Sequence, residues 1–285
     1  MNTAATVTIR AWQSDGILLE QYAYTAGSAE PLPKHSHQEY QLGLNWDRHG
    51  EYNYQGTHQC IPPKRLCIIQ SGEVHLPNQR TYISTPMTCW MMEIEPKVLQ
   101  TIASERAERP SKFPVFPELV IPDSDLTYCF LHLHRIARAT FSKLEQDSAV
   151  CQFLTRLIEC HAKDVPSIRP LRLAHTAVQQ VRDFLDAYYA ENVSLEQLAS
   201  IAGLSRFYLC RAFHKEIGVP PHVYKRQRQI AQAKRLLLQR VPPHQIALDI
   251  GFADQSHFGL HFKRLVGVTP GRYVQQSNNL LDNPD

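Results

Sequence analysis

Two stretches in the C-terminal third of the chain repeat each other's spacing. Residues 203–224 read GLSRFYLCRAFHKEIGVPPHVY, and residues 251–273 read GFADQSHFGLHFKRLVGVTPGRY. Identical residues stand 49 positions apart in five pairs, namely Phe213 and Phe262, Gly218 and Gly267, Val219 and Val268, Pro221 and Pro270, and Tyr224 and Tyr273. Agreement of this density predicts that one supersecondary unit occurs twice.

The first copy, over 194–217, predicts a helix, a tight turn and a second helix. Ser194 and Gln197 have the spacing of a capping box at the start of the first helix. Gly203 can adopt the left-handed conformation that ends a helix, and Ser205 is placed to cap the next one. The second helix is expected to bury one face, formed by Leu209, Phe213 and Ile217. This order is typical of the helix-turn-helix, whose second helix enters the major groove of DNA.

The second copy, over 243–266, follows the same plan. Pro242 and Pro243 begin a helix in which their missing donors matter little, Gly251 makes the turn, and Asp254 caps the next helix. That helix is expected to bury Phe258, Phe262 and Leu265 and to turn Gln255, Ser256, Gly259, Leu260 and Lys263 outward. The basic helix predicted over 222–239 lies between the copies and carries Lys225, Arg226, Arg228, Lys234 and Arg235. A helix of that length spans roughly 27 Å, which suits two reading helices placed in successive major-groove segments about 34 Å apart.

The distribution of charge agrees with a nucleic-acid partner. Residues 172–275 contain 14 Lys and Arg against 7 Asp and Glu, whereas residues 1–171 contain 16 against 18. A basic C-terminal part beside a slightly acidic remainder is expected when one domain binds a polyanion, although a solvated basic surface would show the same balance.

The N-terminal part reads as short strands followed by two amphipathic helices. Six strand patterns recur between residues 6 and 95, which favours a sandwich or a small barrel. They lie at 6–12, 17–24, 39–46, 51–56, 64–70 and 88–95. Apolar residues recur at helical spacing from Leu126 through Phe141 to Leu144 in the first helix and from Val150 to Ile158 in the second. The two helices, over about 124–163, could cover one end of the barrel or pack against a second subunit. No stretch resembles a membrane span or a signal peptide, and the 7 cysteines form no C-x-x-C pair. These features predict a cytoplasmic protein.

Residues 175–275 resemble the DNA-binding domain of the AraC/XylS family of bacterial transcription regulators. The second copy has that family's most specific signature, which consists here of Gly251-Phe252, Asp254, Ser256-His257-Phe258, Phe262-Lys263, Gly267, Pro270 and Arg272-Tyr273. More loosely, the N-terminal part resembles the cupin-like effector domain that many members have. The resemblance implies a sequence-specific regulator, an activator, that binds promoter DNA, a small-molecule effector and RNA polymerase, forms a homodimer and has no enzymatic activity.

The family reads DNA with the outward residues of both second helices. By position these are Arg206, Phe207, Cys210, Arg211 and His214 in the first unit and Gln255, Ser256, Gly259, Leu260 and Lys263 in the second. Arginine can pair bidentately with guanine, which is worth about 1–3 kcal/mol of discrimination, whereas Gly259 and Leu260 offer no hydrogen bonds. The first unit is therefore expected to supply most specificity, and the second to anchor through phosphates.

Four polar residues at alternate positions, two before the third predicted strand and two within it, are candidates for effector binding. His35, His37, Glu39 and Gln41 alternate, so they would share one face of a strand, and His75 follows later. In metal-binding cupins an H-x-H pair, a Glu and a distant His hold the metal, but Glu39 follows His37 at a shorter spacing than usual. A pocket for a small polar ligand, a metal site and ordinary histidines remain open, and we expect no cofactor. A metal-dependent cupin enzyme fused to a DNA-binding module is the alternative function.

The sequence thus predicts an α+β protein of two domains. An N-terminal cupin-like β-barrel with a helical dimerisation region would occupy 1–165, with the barrel at about 6–110. A linker would follow at 162–172. The all-α C-terminal domain, with a double helix-turn-helix, would occupy 173–275, and a polar tail would follow.

Overall fold

The computed structural model describes residues 4–77, 81–107, 110–138, 142–163 and 174–281. It divides into two compact units, one comprising Met1–Phe141 and Ala149–Pro170 and the other Ser142–Ser148 and Leu171–Asp285. The first unit is rich in strands, and the described residues of the second are helical. The predicted fold class is therefore confirmed. The predicted linker at 162–172 lies outside the described residues from position 164 onward.

The first unit is built on two sheets and a short strand pair. Its described strands are β1 (Val7–Ser14), β2 (Ile17–Tyr24), β3 (Gly27–Ser28), β4 (Tyr40–Asn45), β5 (Gly50–Tyr54), β6 (Thr57–Ile61), β7 (Leu66–Ile69), β8 (His75–Pro77), β9 (Tyr82–Ile83), β10 (Met87–Ile94) and β11 (Val120–Ile121). Six of them form the larger sheet in the order β1-β2-β10-β4-β7-β11. The order β6-β5-β8 gives the smaller sheet, and β3 pairs with β9.

The alternation of side chains along the central strands separates a core face from a cavity face. On β4 and β10 the side chains of Leu42, Met92 and Ile94 are completely buried. Their neighbours Gln41 and Glu93 point to the opposite face and stand directly across from each other in the antiparallel register. The six strands predicted from sequence, β1, β2, β4, β5, β7 and β10, are present. The five-residue strand β6 was not predicted. The two- and three-residue strands were not predicted either, because they are too short to show an alternating pattern.

Three helices belong to the N-terminal part of the chain, α1 (Pro96–Ala107), α2 (Ser124–Ala137) and α3 (Lys143–His161). The sequence analysis missed α1. It also continued the pattern of the first amphipathic helix to Leu144, which is wrong, because Leu144 lies in α3. The backbone carbonyl of Ser142 accepts from the amides of Glu145 and Gln146, so a new helix begins there. Phe141, assigned to the same pattern, lies outside the described residues.

Asp123 connects the start of α2 to α3. Its side chain caps α2 by accepting from the amide of Leu126 at 2.9 Å. Arg156 donates to the same carboxylate from Nε at 2.9 Å, and His161 Nε2 lies 3.1 Å from it. Burial raises the pKa of Asp123, but the hydrogen bonds from Arg156, the Leu126 amide and His161 outweigh it and hold this pKa well below its usual range. The ionised carboxylate thus stabilises the packing of the two helices.

Residues 174–281, which are the described part of the second unit beyond its segment Ser142–Ser148, contain seven helices. They are α4 (Ala174–Ala187), α5 (Leu195–Ala202), α6 (Arg206–Ile217), α7 (Pro221–Leu238), α8 (Pro243–Asp249), α9 (Gln255–Val266) and α10 (Pro270–Leu281). The last helix continues past residue 275, where the sequence analysis placed a polar tail, so that boundary is corrected. No helix in the described ranges has both the length and the apolar character needed to cross a membrane.

The later half of this unit packs around aromatic side chains. Phe258 and Phe262 are completely buried, and Phe252 packs beside them with its ring 5.6 Å from that of Phe258. Gln229 of α7 donates from Nε2 to the carbonyl of Ile250 at 2.7 Å, which satisfies a carbonyl at the end of α8. The turn between α8 and α9 is therefore fixed to the long helix α7 from one side.

Candidate nucleic-acid interface and ligand cavity

The first helix pair, α5 and α6, has the local signals that its sequence predicted. Ser194 accepts from the amide of Gln197 at 3.1 Å, and Gln197 accepts in return from the amide of Ser194 at 3.3 Å. Gly203 ends α5 in the left-handed conformation, with φ of 62°. Ser205 then caps α6 by accepting from the amide of Tyr208 at 3.2 Å. The predicted capping box, turn and cap are confirmed.

The second helix pair, α8 and α9, depends on a closer approach of the backbone. Gly251 has φ of +80°, and a Cβ atom at this position would lie 2.0 Å from the carbonyl oxygen of Ala190. Only glycine fits there without movement of the backbone, since that distance is far inside van der Waals contact. Asp254 begins α9 by accepting from the amide of His257 at 2.7 Å. The predicted turn and cap are again confirmed.

The outward surface of α6 is partly occupied by its own contacts. Arg206 Nε lies 3.2 Å from a carboxylate oxygen of Glu196 on α5, and its side chain is 28% exposed. The guanidinium of Arg211 lies 5.4 Å from the ring centre of Tyr208 and is half-buried. Phe207 is half-buried and His214 is exposed. Cys210, expected on the outward face, is buried at 5% exposure, so that prediction is wrong.

The outward surface of α9 is more open. Gln255, Ser256 and Lys263 are exposed, Leu260 is 65% exposed and Gly259 is half-buried. The sequence analysis expected Leu265 in the core, but it is 45% exposed, because the core of this helix is completed by His261 instead. His261 Nε2 lies 3.0 Å from Nε2 of His257, one turn earlier on the same helix. Four of the five predicted reading residues of α9 are thus fully available at the surface.

The basic helix α7 offers fewer surface cations than its sequence suggested. Lys225 is buried at 7% exposure, and burial lowers its pKa to about 8. The guanidinium of Arg226 lies 4.7 Å from the ring centre of Phe252 and donates to Glu145, of the segment Ser142–Ser148 in the same unit, at 3.0 Å. Arg228 is exposed but pairs with Asp186 at 2.8 Å. Lys225 and Arg226 of the predicted basic helix therefore support the fold.

A cavity of about 470 Å³ lies over the sheet face formed by β2, β4 and β10, within the range of natural ligand sites. Its described lining residues are Glu20, Tyr22, Tyr24, Ala29, Glu30, Leu32, His35, Gln41, Gly43, Leu44, Asn45, His49, Gly50, Glu51, Tyr52, Ile61, Cys67, His75, Pro77, Ile83, Met87, Cys89, Met91 and Glu93. Of the five residues predicted from sequence, His35, Gln41 and His75 line this cavity, whereas His37 and Glu39 do not.

The three histidines come together although they do not share one strand. Only β4, from Tyr40 onward, is a strand in this segment, so the expected single strand over His35 to Gln41 is wrong. Instead, His35 and His75 exchange backbone hydrogen bonds at 3.0 and 2.9 Å. The ring centres of His35 and His75 are 4.3 Å apart, and those of His37 and His75 are 5.1 Å apart.

The hydrogen bonds of these rings define their chemistry. Nδ1 of His37 lies 2.8 Å from the carbonyl of Glu39, and Nδ1 of His75 lies 3.3 Å from that of Glu73. A carbonyl only accepts, so each Nδ1 carries the proton and each Nε2 is left to accept or to be protonated. Both Nε2 atoms are buried and have no hydrogen-bond partner among the residues that the structure describes. Burial and the neighbouring imidazoles His35 and His37 lower the pKa of His75, which favours the neutral ring with an accepting Nε2.

Carboxylates complete the polar end of the cavity. Tyr22 donates from its hydroxyl to Glu20 at 2.9 Å. Burial raises the pKa of Glu93, and repulsion from Glu20 adds to the shift, while His37 opposes it. Glu20 and Glu93 were not identified from sequence. The signal was present in β2, where Glu20, Tyr22 and Tyr24 alternate with Leu19 and so define a polar face.

The described residues around the cavity do not form a set of metal ligands. Within the described ranges, no group of three or more His, Cys, Asp or Glu side chains is placed so that it could hold a metal ion.

Two family models match the chain. The model described as "AraC-like ligand binding domain" matches residues 19–158, and the "Helix-turn-helix domain" model matches residues 198–276. The first region contains the cavity and the second contains α6 and α9.

Curated relatives agree with these matches. An uncharacterized HTH-type transcriptional regulator, YbfI, of Bacillus subtilis strain 168 is 29% identical over 239 residues, which are 84% of this chain and 85% of the relative. The HTH-type transcriptional regulator MtrA of Neisseria gonorrhoeae is 34% identical over 85 residues, 29% of this chain and 28% of its own. Among solved structures, the C-terminal domain of AraT, a response regulator from Geobacillus stearothermophilus, is 26% identical and covers 36% of this chain and 88% of its own, with a TM-score of 0.35. The chain belongs to the AraC family and is a DNA-binding transcription regulator with a ligand-binding domain.

Proposed function

We propose that this regulator activates transcription as a cytoplasmic homodimer when a small molecule binds in the cavity of its first unit. The single observation that carries the proposal is the pairing, in one chain, of two capped candidate reading helices with a polar cavity on a separate sheet. The activated partner would be RNA polymerase at the promoter. No catalytic activity is part of the proposal.

The proposed reading residues are those that remain accessible on the two helices. They are Arg206, Phe207, Arg211 and His214 on α6 and Gln255, Ser256, Gly259, Leu260 and Lys263 on α9. Arg206 and Arg211 can each offer a bidentate donor pair to guanine, whereas Leu260 offers only apolar contact, for example with a thymine methyl. We therefore assign most base discrimination to α6.

The assignment is tested on operators selected from a random duplex library by the purified full-length protein. Arg211→Ala should relax base preference and weaken specific binding by about 1–3 kcal/mol, while Leu260→Ala should change it little. Relaxed preference in Leu260→Ala with unchanged preference in Arg211→Ala would contradict the assignment. Circular dichroism of both variants controls for folding.

Effector control is assigned to the cavity that His35, Gln41 and His75 line. A ligand that binds only the folded protein raises its melting temperature, so metabolites are screened by thermal shift on the full chain. Met91→Trp places a large ring on the cavity face of β10 and should abolish both the shift and the transcriptional response to each hit. Phe113→Trp, at a position that is 52% exposed and outside the cavity, is the matched control. A response that survives Met91→Trp would place effector binding elsewhere.

The dimer is assigned to the helical region of the first unit. Tyr128 on α2 is 64% exposed and stacks on His132, with ring centres 6.3 Å apart, while the other side of α2 contacts β2. Exposed aromatic side chains are frequent anchors of protein interfaces. Tyr128→Glu should shift the sedimentation coefficient of the protein to that of a monomer, and an unchanged dimer would refute this interface.

A further inference from the structure

The cavity has an unbalanced set of charges. Four glutamates, Glu20, Glu30, Glu51 and Glu93, belong to its described lining, and no Lys or Arg is among those residues. A pocket that received an anion would need the opposite balance, because carboxylates repel a negative ligand at short distance. The excess of carboxylates in the lining favours a neutral or cationic ligand over an anionic one.

Glu20 and Glu93 are close enough to repel each other. Glu20 stands directly across from Met91 in the β2–β10 register, and Glu93 lies two residues further along β10 on the same face. Diagonal neighbours on adjacent antiparallel strands are about 7–8 Å apart. Their repulsion, together with burial, raises the pKa of Glu93. A bound cation would relieve this repulsion, whereas a neutral ligand would leave it in place.

His75 adds an acceptor to the lining of the same cavity. Its side chain has 0% exposure, it lines the cavity, and its Nε2 is buried without a partner in the described structure. Since Nδ1 donates to the Glu73 carbonyl, the neutral ring presents a lone pair that only a donor can satisfy. His37 interacts with both Glu93 and His75. It lowers the pKa of Glu93, and its ring centre lies 5.1 Å from that of His75.

Aromatic rings border the acceptors. Tyr22 and Tyr24 lie along β2 with ring centres 6.3 Å apart, and Tyr52 lies 6.1 Å from the ring of His75. All three line the cavity. Tyrosine faces attract cations through the quadrupole of the ring, and they also bury the apolar body of a ligand.

We propose that the effector is a small organic cation with N–H donors, a protonated amine or a guanidinium compound. Its charged group lies between Glu20 and Glu93 and donates to Nε2 of His75, and its apolar body packs on the tyrosines. This inference rests on the proposed function, because it names the chemical class of the effector that the same cavity binds.

Matched compounds test the inference on the full-length protein. The first series has one alkyl skeleton and differs in charge: hexylamine, hexanol and hexanoate. The second series does the same with an aromatic ring: 2-phenylethylamine, 2-phenylethanol and 3-phenylpropionate. Agmatine represents the guanidinium compounds. Melting temperature and calorimetric affinity are measured at constant ionic strength. At least one of the cations should bind, and each binding amine should do so at least tenfold more tightly than its neutral or anionic counterpart. Binding that favours the alcohol or the acid, or no binding by any compound, would overturn the inference.

A variant pair assigns the binding to the carboxylates of the cavity. Glu93→Gln keeps the shape of the side chain and removes its charge, and it should weaken cation binding at least tenfold. Glu118→Gln removes the same charge from an exposed position outside the cavity and should leave the affinity unchanged. Equal affinities in both variants would refute the site. If an uncharged ligand binds and its transcriptional response is lost in Met91→Trp, the cation inference fails while the proposed function stands.

Discussion

Replacement of Gly251 by alanine should destabilise the second unit far more than the same change at Gly203. Both glycines end a first helix with positive φ, at +80° and +62°. A left-handed conformation costs a non-glycine residue about 1–2 kcal/mol. At Gly203 nothing lies within 4 Å of the added Cβ, so this strain is the whole effect. At Gly251 the Cβ would meet the carbonyl oxygen of Ala190 at 2.0 Å, and relieving such overpacking costs about 1–3 kcal/mol more.

The expected losses are therefore about 1–2 kcal/mol for Gly203→Ala and about 2–5 kcal/mol for Gly251→Ala. Urea unfolding followed by circular dichroism at 222 nm would report them, because the described second unit is helical. The chain offers an internal control, since all three tryptophans, Trp12, Trp46 and Trp90, lie in the first unit. Their fluorescence transition should be the same in both variants. Equal losses at 222 nm would refute the argument that the Ala190 carbonyl makes glycine necessary at 251.

Three further outcomes are expected. Glu93→Gln should raise the melting temperature of the ligand-free protein at pH 7, because a raised folded-state pKa means that the ionised group destabilises the fold. The gain should shrink as the pH falls from the raised folded-state pKa towards the ordinary pKa of glutamate, and it should vanish below that value. An unchanged melting temperature at pH 7 would argue against the repulsion. Asp123→Asn should cost about 1 kcal/mol in urea unfolding at pH 7, since Arg156 is 40% exposed and partly screened. The pKa of Asp123 is depressed in the folded state, so this difference in stability should disappear as the pH falls from the unfolded-state pKa of about 4 through the folded-state pKa. A difference that stays constant over this range would count against the ion pair. Lys263→Ala should reduce the slope of log K against log salt concentration for DNA binding by about 0.9. Lys34→Ala, in the first unit, is the control and should leave the slope unchanged. Equal slopes in the two variants would show that Lys263 makes no phosphate contact.

The helical unit was largely predictable because its signals are local. The capping box at Ser194, the turn at Gly203 and the cap at Asp254 each depend on residues within a few positions, and all three are present. The burial of Cys210 and the exposure of Leu265 were not predicted. Helical periodicity gives the angular position of a side chain, but which neighbouring helix covers that position depends on tertiary packing.

The cavity was only partly predictable because its members are distant in sequence. His35 and His75 meet through backbone pairing of segments 40 residues apart, and Glu20 and Glu93 meet across two strands from opposite ends of the sheet-forming region. The sequence singled out the histidines by their residue type but missed the glutamates, which are common on any surface. Strand register, which placed Glu93 beside Gln41, cannot be obtained from one strand alone.

The difference in surface contacts between α6 and α9 bears on how such a regulator changes its targets over evolutionary time. Arg206 and Arg211 of α6 are held by Glu196 and Tyr208, so replacing them also disturbs neighbours. Leu260 of α9 projects into solvent from a helix whose cap and core are supplied by other residues. Substitutions at such positions usually change folding stability by less than about 0.5 kcal/mol. New operator preferences can therefore arise on the second reading helix with little penalty to the fold, while the first helix keeps the older specificity.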